Sequence, residues 1–130
     1  MSLVFDTSIL IAIERGDKET IKKLENLHKS FPSSPQLTFI SFFEYLTGLK
    51  IRKTKSFQSN LMFLKKFNVL HTTKSSAEIL SDLKIKYDKK GITLSLADLL
   101  SASIVIDNNL VFATKDKDFE KIEELKKIIF

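Results

Sequence analysis

A single α/β domain, built on a parallel sheet with helices over both faces, is the fold class this sequence predicts. Three observations carry it. Short apolar runs recur along the chain at Leu3–Phe5, Leu37–Ile40, Val69–His71 and Leu110–Ala113. Longer stretches with helical spacing of apolar residues separate them. Strands buried on both faces read as unbroken apolar runs, and joining parallel strands needs helical crossovers.

Taken in order, Leu3-Val4-Phe5 stops at Asp6-Thr7-Ser8, a strand meeting the start of a helix over Ile9 to about Glu14 that ends near Gly16. A second helix, about Lys18–Lys29, places Ile21, Leu24 and Leu27 on one face. Ser30-Phe31-Pro32-Ser33-Ser34-Pro35 is the clearest loop. Leu37–Ile40 forms the second strand and Phe42–Lys50 the helix after it. An amphipathic helix covers Ser56–Lys66, and Val69–His71 is the third strand. Helices over Ser75–Asp88 and Ser95–Ile106 flank Lys89-Lys90-Gly91. Leu110–Ala113 is the fourth strand, Phe119–Lys126 a closing helix, and Ile128–Phe130 a last edge strand.

Composition narrows the chemistry. The 130 residues suit one domain spanning 1–130, able to remove roughly two-thirds of its unfolded surface from water. No run approaches the length of a membrane span, and the N-terminus lacks the pattern of a signal peptide, so a cytoplasmic location is expected. With no cysteine, thiolate metal sites and thiol nucleophiles are excluded. The two histidines, His28 and His71, have no paired metal-ligand spacing and read as surface or half-buried residues. Three glycines cannot make a phosphate-cradling loop. An active site here must use carboxylates, hydroxyls and lysines, a donor set that suits a hard cation such as Mg²⁺ or Mn²⁺. The net charge of +5, with basic residues crowded at 50–55, 65–66, 84–90 and 115–127, permits a polyanionic partner.

The acids are placed informatively. In such a sheet the strand C-termini and the starts of the returning helices share one edge, where ligands bind. Asp6 follows the first strand, Glu44 lies in the first turn of the next helix, Asp98 opens the helix leading to the fourth strand, and Asp116 follows that strand. Each also has a plain reading. Ser41-x-x-Glu44 and Ser95-x-x-Asp98 fit the capping box, and Asp6 and Asp116 fit simple N-caps. Capping accounts for the acids one at a time; it leaves their convergence unexplained. Two carboxylates about 4 Å apart repel by roughly 4 kcal/mol at an effective dielectric of 20, which favours a cation between them.

Four segments carry a family resemblance: Leu3-Val4-Phe5-Asp6-Thr7-Ser8; Ile40-Ser41-Phe42-Phe43-Glu44-Tyr45-Leu46 with Gly48; Leu94-Ser95-Leu96-Ala97-Asp98-Leu99-Leu100-Ser101-Ala102; and Leu110-Val111 with Ala113-Thr114, Asp116 and Asp118-Phe119. In order and spacing the chain resembles the PIN-domain ribonucleases, and among them the VapC-type toxins of toxin–antitoxin pairs. The resemblance implies a PIN-like three-layer α/β/α sandwich with a central parallel sheet of four to five short strands. It implies a Mg²⁺- or Mn²⁺-dependent endoribonuclease, with Asp6, Glu44, Asp98 and Asp116 as the acidic cluster and Asp6 and Asp98 as the most direct ligands. Asp118 is an alternative fourth acid, and Thr7, Ser8 and Thr114 are supporting hydroxyls. A homodimer and an inhibiting antitoxin protein are implied as partners, with Phe42 and Phe57 as candidate interface residues. Lys115 and Lys117 are candidates to hold the RNA backbone. Competing readings are an RNA-processing nuclease without an antitoxin, a catalytically silent RNA- or protein-binding module, and an aspartyl-phosphate enzyme. The last wants a second Asp where Ser8 stands.

Overall fold

The computed structural model describes residues 1–130. Five strands, β1 (Leu3–Phe5), β2 (Gln36–Thr38), β3 (Asn68–Leu70), β4 (Val111–Thr114) and β5 (Lys127–Ile129), form one sheet in the order β3-β2-β1-β4-β5. Every pairing is parallel, with Val4 opposite Gln36 on one side and Phe112 on the other. The helices are α1 (Thr7–Glu14), α2 (Lys18–Leu27), α3 (Phe39–Arg52), α4 (Phe57–Lys65), α5 (Lys74–Lys89) and α6 (Leu96–Asp107). None is long and apolar enough to cross a membrane. The five-stranded parallel sheet with helices on both faces matches the expected three-layer architecture.

Alternation along the strands splits the core. Leu3 and Phe5 point to the layer of Ile9, Leu10, Tyr45, Leu49 and Leu64, while Val4 and Phe112 point to that of Leu83, Tyr87, Leu99, Val105 and Phe119. Both layers are needed because a parallel sheet has no solvent face.

Two expected elements are corrected. The second strand ends at Thr38, and Phe39 and Ile40 belong to α3. The Thr38 hydroxyl accepts the Ser41 backbone N–H at 3.2 Å, so the helix is capped directly at the strand end. This moves Glu44 out of the first turn and removes its capping box with Ser41. The expected closing helix over 119–126 is a 3-10 turn over Lys117–Lys121, followed by irregular chain into β5. Its apolar residues Phe119, Ile122 and Leu125 are buried, which explains a helix-like spacing without a helix.

One cross-link ties the two helices that bring acids to the sheet edge. The Glu14 carboxylate, at the end of α1, accepts from the buried Tyr45 hydroxyl and from both terminal nitrogens of Arg52, residues of α3. The guanidinium holds the Glu14 carboxyl below the usual carboxylate range, against a smaller opposing effect of burial. A depressed acid stabilises the fold at neutral pH, and that contribution is lost as pH falls through its folded value. We predict that Glu14→Ala lowers stability by about 1–3 kcal/mol at neutral pH, because it strands the buried Tyr45 hydroxyl. The gap between urea midpoints for the pair should narrow at acid pH without closing; a constant gap would mean that the ionised carboxylate contributes nothing.

Candidate active site

The sheet order reverses between β1 and β4, and the gap beyond their C-terminal ends is where open α/β sheets accept ligands. Asp6 and Asp116 stand on either side of that gap, since one follows β1 and the other follows β4. Asp98 is in the first turn of α6, and Glu44 is in the second turn of α3.

Asp6 is the N-cap residue of α1 by backbone conformation, yet its side chain makes no cap bond. Its Oδ2 accepts instead from the Thr114 hydroxyl at 2.7 Å and the Ser8 hydroxyl at 3.0 Å. Thr114, fully buried, also accepts the Asp116 N–H at 2.9 Å, and Ser8 accepts the Lys115 N–H at the same distance. Thr7 donates to Glu44 Oε1 at 2.9 Å. The three hydroxyls therefore all orient carboxylates or the backbone beside them, and they lace α1 to β4 and to α3.

Of Asp98 and Asp116, only the second caps with its side chain. The backbone N–H of Asp98 donates to the Ser95 hydroxyl at 3.1 Å, which leaves its carboxylate free of that task. Asp116 Oδ1 accepts the Asp118 N–H at 2.9 Å. Carboxylate oxygens of Asp98, Asp116 and Asp118 lie within 4.8 Å of one another. Both residues of the Asp116/Asp118 pair thus sit beside Asp98. The 3-10 turn accomplishes this by folding Asp118 back over Asp116, a geometry that sequence spacing does not convey.

Asp98 reports the crowding. Its carboxyl is held above the ordinary aspartate range, first by burial and then by the charges of Asp116, Asp6 and Glu44, with the Ser95 hydroxyl pulling the other way. All four acids therefore share one electrostatic neighbourhood. No lysine or arginine lies within 4.0 Å of Asp6, Glu44, Asp98 or Asp116; only the exposed Asp118 has such a partner, Lys121. An all-oxygen donor set without a counter-cation fits a hard divalent ion.

Several neighbours differ from expectation. The Lys115 ammonium is drawn to Asp17 and Thr20 at 3.2 Å, so it is already paired. Lys117 is exposed with no acid partner. Phe42 and Phe57 pack against the core, and the exposed phenylalanines are Phe39 and Phe43 instead. The register of α3 decides this, because starting the helix at Phe39 turns positions 39 and 43 outward together. His28 and His71 are on the surface and outside the acidic cluster, as expected.

Thr114 offers a direct check on the lacing. Thr114→Val is predicted to cut turnover by about 10–100-fold, the usual scale for losing a group that orients a ligand. It should also cost about 1–3 kcal/mol through the stranded Asp116 N–H. Thr114→Ser should restore both; rescue of stability without turnover would show that the hydroxyl has no part in placing Asp6.

Comparison with known proteins bears on the chain as a whole. A family profile described as PIN domain matches residues 3–125. A protein named Ribonuclease VapC from Rickettsia bellii (strain RML369-C) is 31% identical over 132 residues, covering 97% of this chain and 94% of the relative. The structure of VapBC2 from Rickettsia felis, bound to a DNA fragment from their promoter, superposes with a TM-score of 0.83 at 25% identity, over 100% of this chain and 99% of that one. A DNA-bound VapBC from Salmonella typhimurium gives 0.79 at 21% identity, over 99% and 98% of the two chains.

Proposed function

The chain belongs to the PIN-domain family, and from that premise we propose that it is a metal-dependent endoribonuclease of the VapC type, one domain over residues 1–130, that cuts RNA phosphodiester bonds. The observation that carries the reading is the convergence of Asp6, Glu44, Asp98 and Asp116 on the β1/β4 gap with no basic side chain to balance them.

Asp6 and Asp98 are assigned as direct holders of Mg²⁺ or Mn²⁺, and Glu44, Asp116 and Asp118 as groups acting through its water shell. Bound there, the cation supplies polarisation of a phosphoryl oxygen and a water of lowered pKa. The chain's residues do the rest. Thr114 and Ser8 fix one oxygen of Asp6 and leave Oδ1 for the ligand side. Thr7 fixes Oε1 of Glu44, and Oε2 remains to take the proton of the attacking water as its oxygen bonds to phosphorus; the ribose oxygen departs with the electron pair of its bond to phosphorus and takes a proton from solvent. The half-buried setting of Asp98 would strengthen its hold on a cation.

The relatives solved as VapBC complexes support a protein antitoxin as partner, with the toxin of a type II pair as the physiological role and the cytoplasm as its place. A homodimer is proposed on the same footing, with exposed Phe39 and Phe43, one turn apart on α3, as apolar surface for it. The deciding experiment is incubation of a mixed RNA pool with purified protein in Mg²⁺, Mn²⁺ or EDTA. Fragments that need the cation are expected. RNA left intact by folded, partner-free protein across a wide metal range would move the assignment to a binding module.

A further inference from the structure

We propose that the corner between α3 and α4 is an exosite for the phosphate backbone of RNA, separate from the acids and built on the ribonuclease reading above. The acids create a need for it. A cluster of carboxylates repels a polyanion, so the affinity that brings RNA to the cleavage centre has to come from positive surface elsewhere.

Charge is distributed unevenly along the chain. Residues 45–77 contain Lys50, Arg52, Lys53, Lys55, Lys65, Lys66 and Lys74 and no Asp or Glu, although the whole chain has 16 acids. Elsewhere many lysines are paired: Lys84 with Asp88, Lys86 with Glu123 and Glu124, Lys90 with Glu123, Lys115 with Asp17, and Lys121 with Asp118. Lys50, Lys53, Lys55, Lys65 and Lys66 are all exposed, and none has an acid within 4.0 Å. Arg52 alone in this stretch is neutralised, by Glu14.

The corner also has shape. A cleft of about 430 Å³ is lined by Lys50, Lys53, Thr54 and Phe57, which offers two ammonium groups, a hydroxyl and an aromatic edge. Those groups match a phosphate and an adjoining base. Lys53 closes α3 in the left-handed conformation, φ 47° and ψ 47°, a position that favours glycine. A lysine there accepts backbone strain while adding charge at the mouth of the cleft. Along α3, Lys53 lies about 13 Å beyond Glu44 in helical rise, which keeps the lysines apart from the acids.

The test is binding of a labelled mixed-sequence RNA oligonucleotide in EDTA, where cleavage is off, over a range of salt. The triple variant Lys50→Gln, Lys53→Gly, Lys55→Gln is compared with Lys84→Gln, Lys89→Gln, Lys90→Gln on α5, which loses the same charge. The first should weaken binding about tenfold or more and reduce the log–log salt slope by about 2 to 3; the second should shift affinity less than about threefold. Glycine at position 53 relieves the left-handed strain, so the fold is expected to survive, with thermal melts as the check. Equal losses in the two triples would reduce the effect to net charge and overturn the exosite. Unchanged RNA affinity in the first triple would overturn it too, including where that variant instead loses adhesion to phosphatidylserine vesicles. Tight, corner-dependent binding without metal-dependent fragments would sink the ribonuclease reading and leave the exosite standing.

Discussion

Replacing Asp98 with asparagine is expected to lower RNA cleavage by about a thousandfold or more while raising the melting temperature of the metal-free protein. In the role proposed for Asp98, loss of a cation ligand removes several kcal/mol of transition-state stabilisation, and each 1.4 kcal/mol is about tenfold in rate. The opposite sign for stability follows from the surroundings of the carboxylate. Asp98 is half-buried and faces the charges of Asp116, Asp6 and Glu44, so its carboxyl binds a proton more readily in the folded chain than in the unfolded one. A raised acid stabilises most below its unfolded pKa, and that contribution disappears as pH rises through the folded value. At neutral pH the wild type therefore carries an ionised group that its neighbours oppose, and asparagine does not. The Ser95 cap survives the change because it uses the backbone N–H of residue 98. Melting curves in EDTA against pH should show wild type approaching the variant on acidification. A variant that melts lower, or without cooperativity, would return Asp98 to a capping role; one that cuts RNA at the wild-type rate would remove it from the site.

Phe112→Ala is predicted to cost about 3–5 kcal/mol, a large share of the 5–15 kcal/mol that holds an ordinary domain together. The ring has no exposed surface and meets Phe119 edge-on, with centroids 4.8 Å apart. Its strand is the centre of the argument for function as well, since β4 carries Thr114 and leads to Asp116. The urea midpoint should fall sharply with an unchanged slope, and Phe112→Leu should recover much of it. A loss under about 1 kcal/mol would mean that the layer of Leu83, Leu99 and Phe119 collapses around the gap.

How much of this was legible in the chain depends on the range of the interaction. Leu3–Phe5 and Leu110–Ala113 are unbroken apolar runs, and burial on both faces of a parallel sheet demands them, so β1 and β4 were readable to within a residue. Ser95 before Asp98 is a local cap, and it sits where the spacing placed it. Phe39 and Ile40 were misread as strand because an apolar pair beside a strand has no period of its own; the Thr38 cap decides it. The 3-10 turn at 117–121 escaped for a related reason, since Phe119 and Ile122 are buried at a spacing a helix would also give. The contacts that place the candidate site are of another kind. The Thr114–Asp6 bond spans 108 residues and the pairing of Lys115 with Asp17 spans 98, and no local pattern encodes either.

That long span has a consequence for the protein's own synthesis. Strand β1 cannot take its place beside β4, nor Asp6 its bond to Thr114, until a loop of more than a hundred residues has closed. Closing such a loop is slow and comes late in folding. A nascent chain on the ribosome thus carries Asp6, Glu44 and even Asp98 while lacking the strand that organises them. An RNA-cutting centre made this way is not assembled until β4 has joined β1, so its completion is a late event of folding.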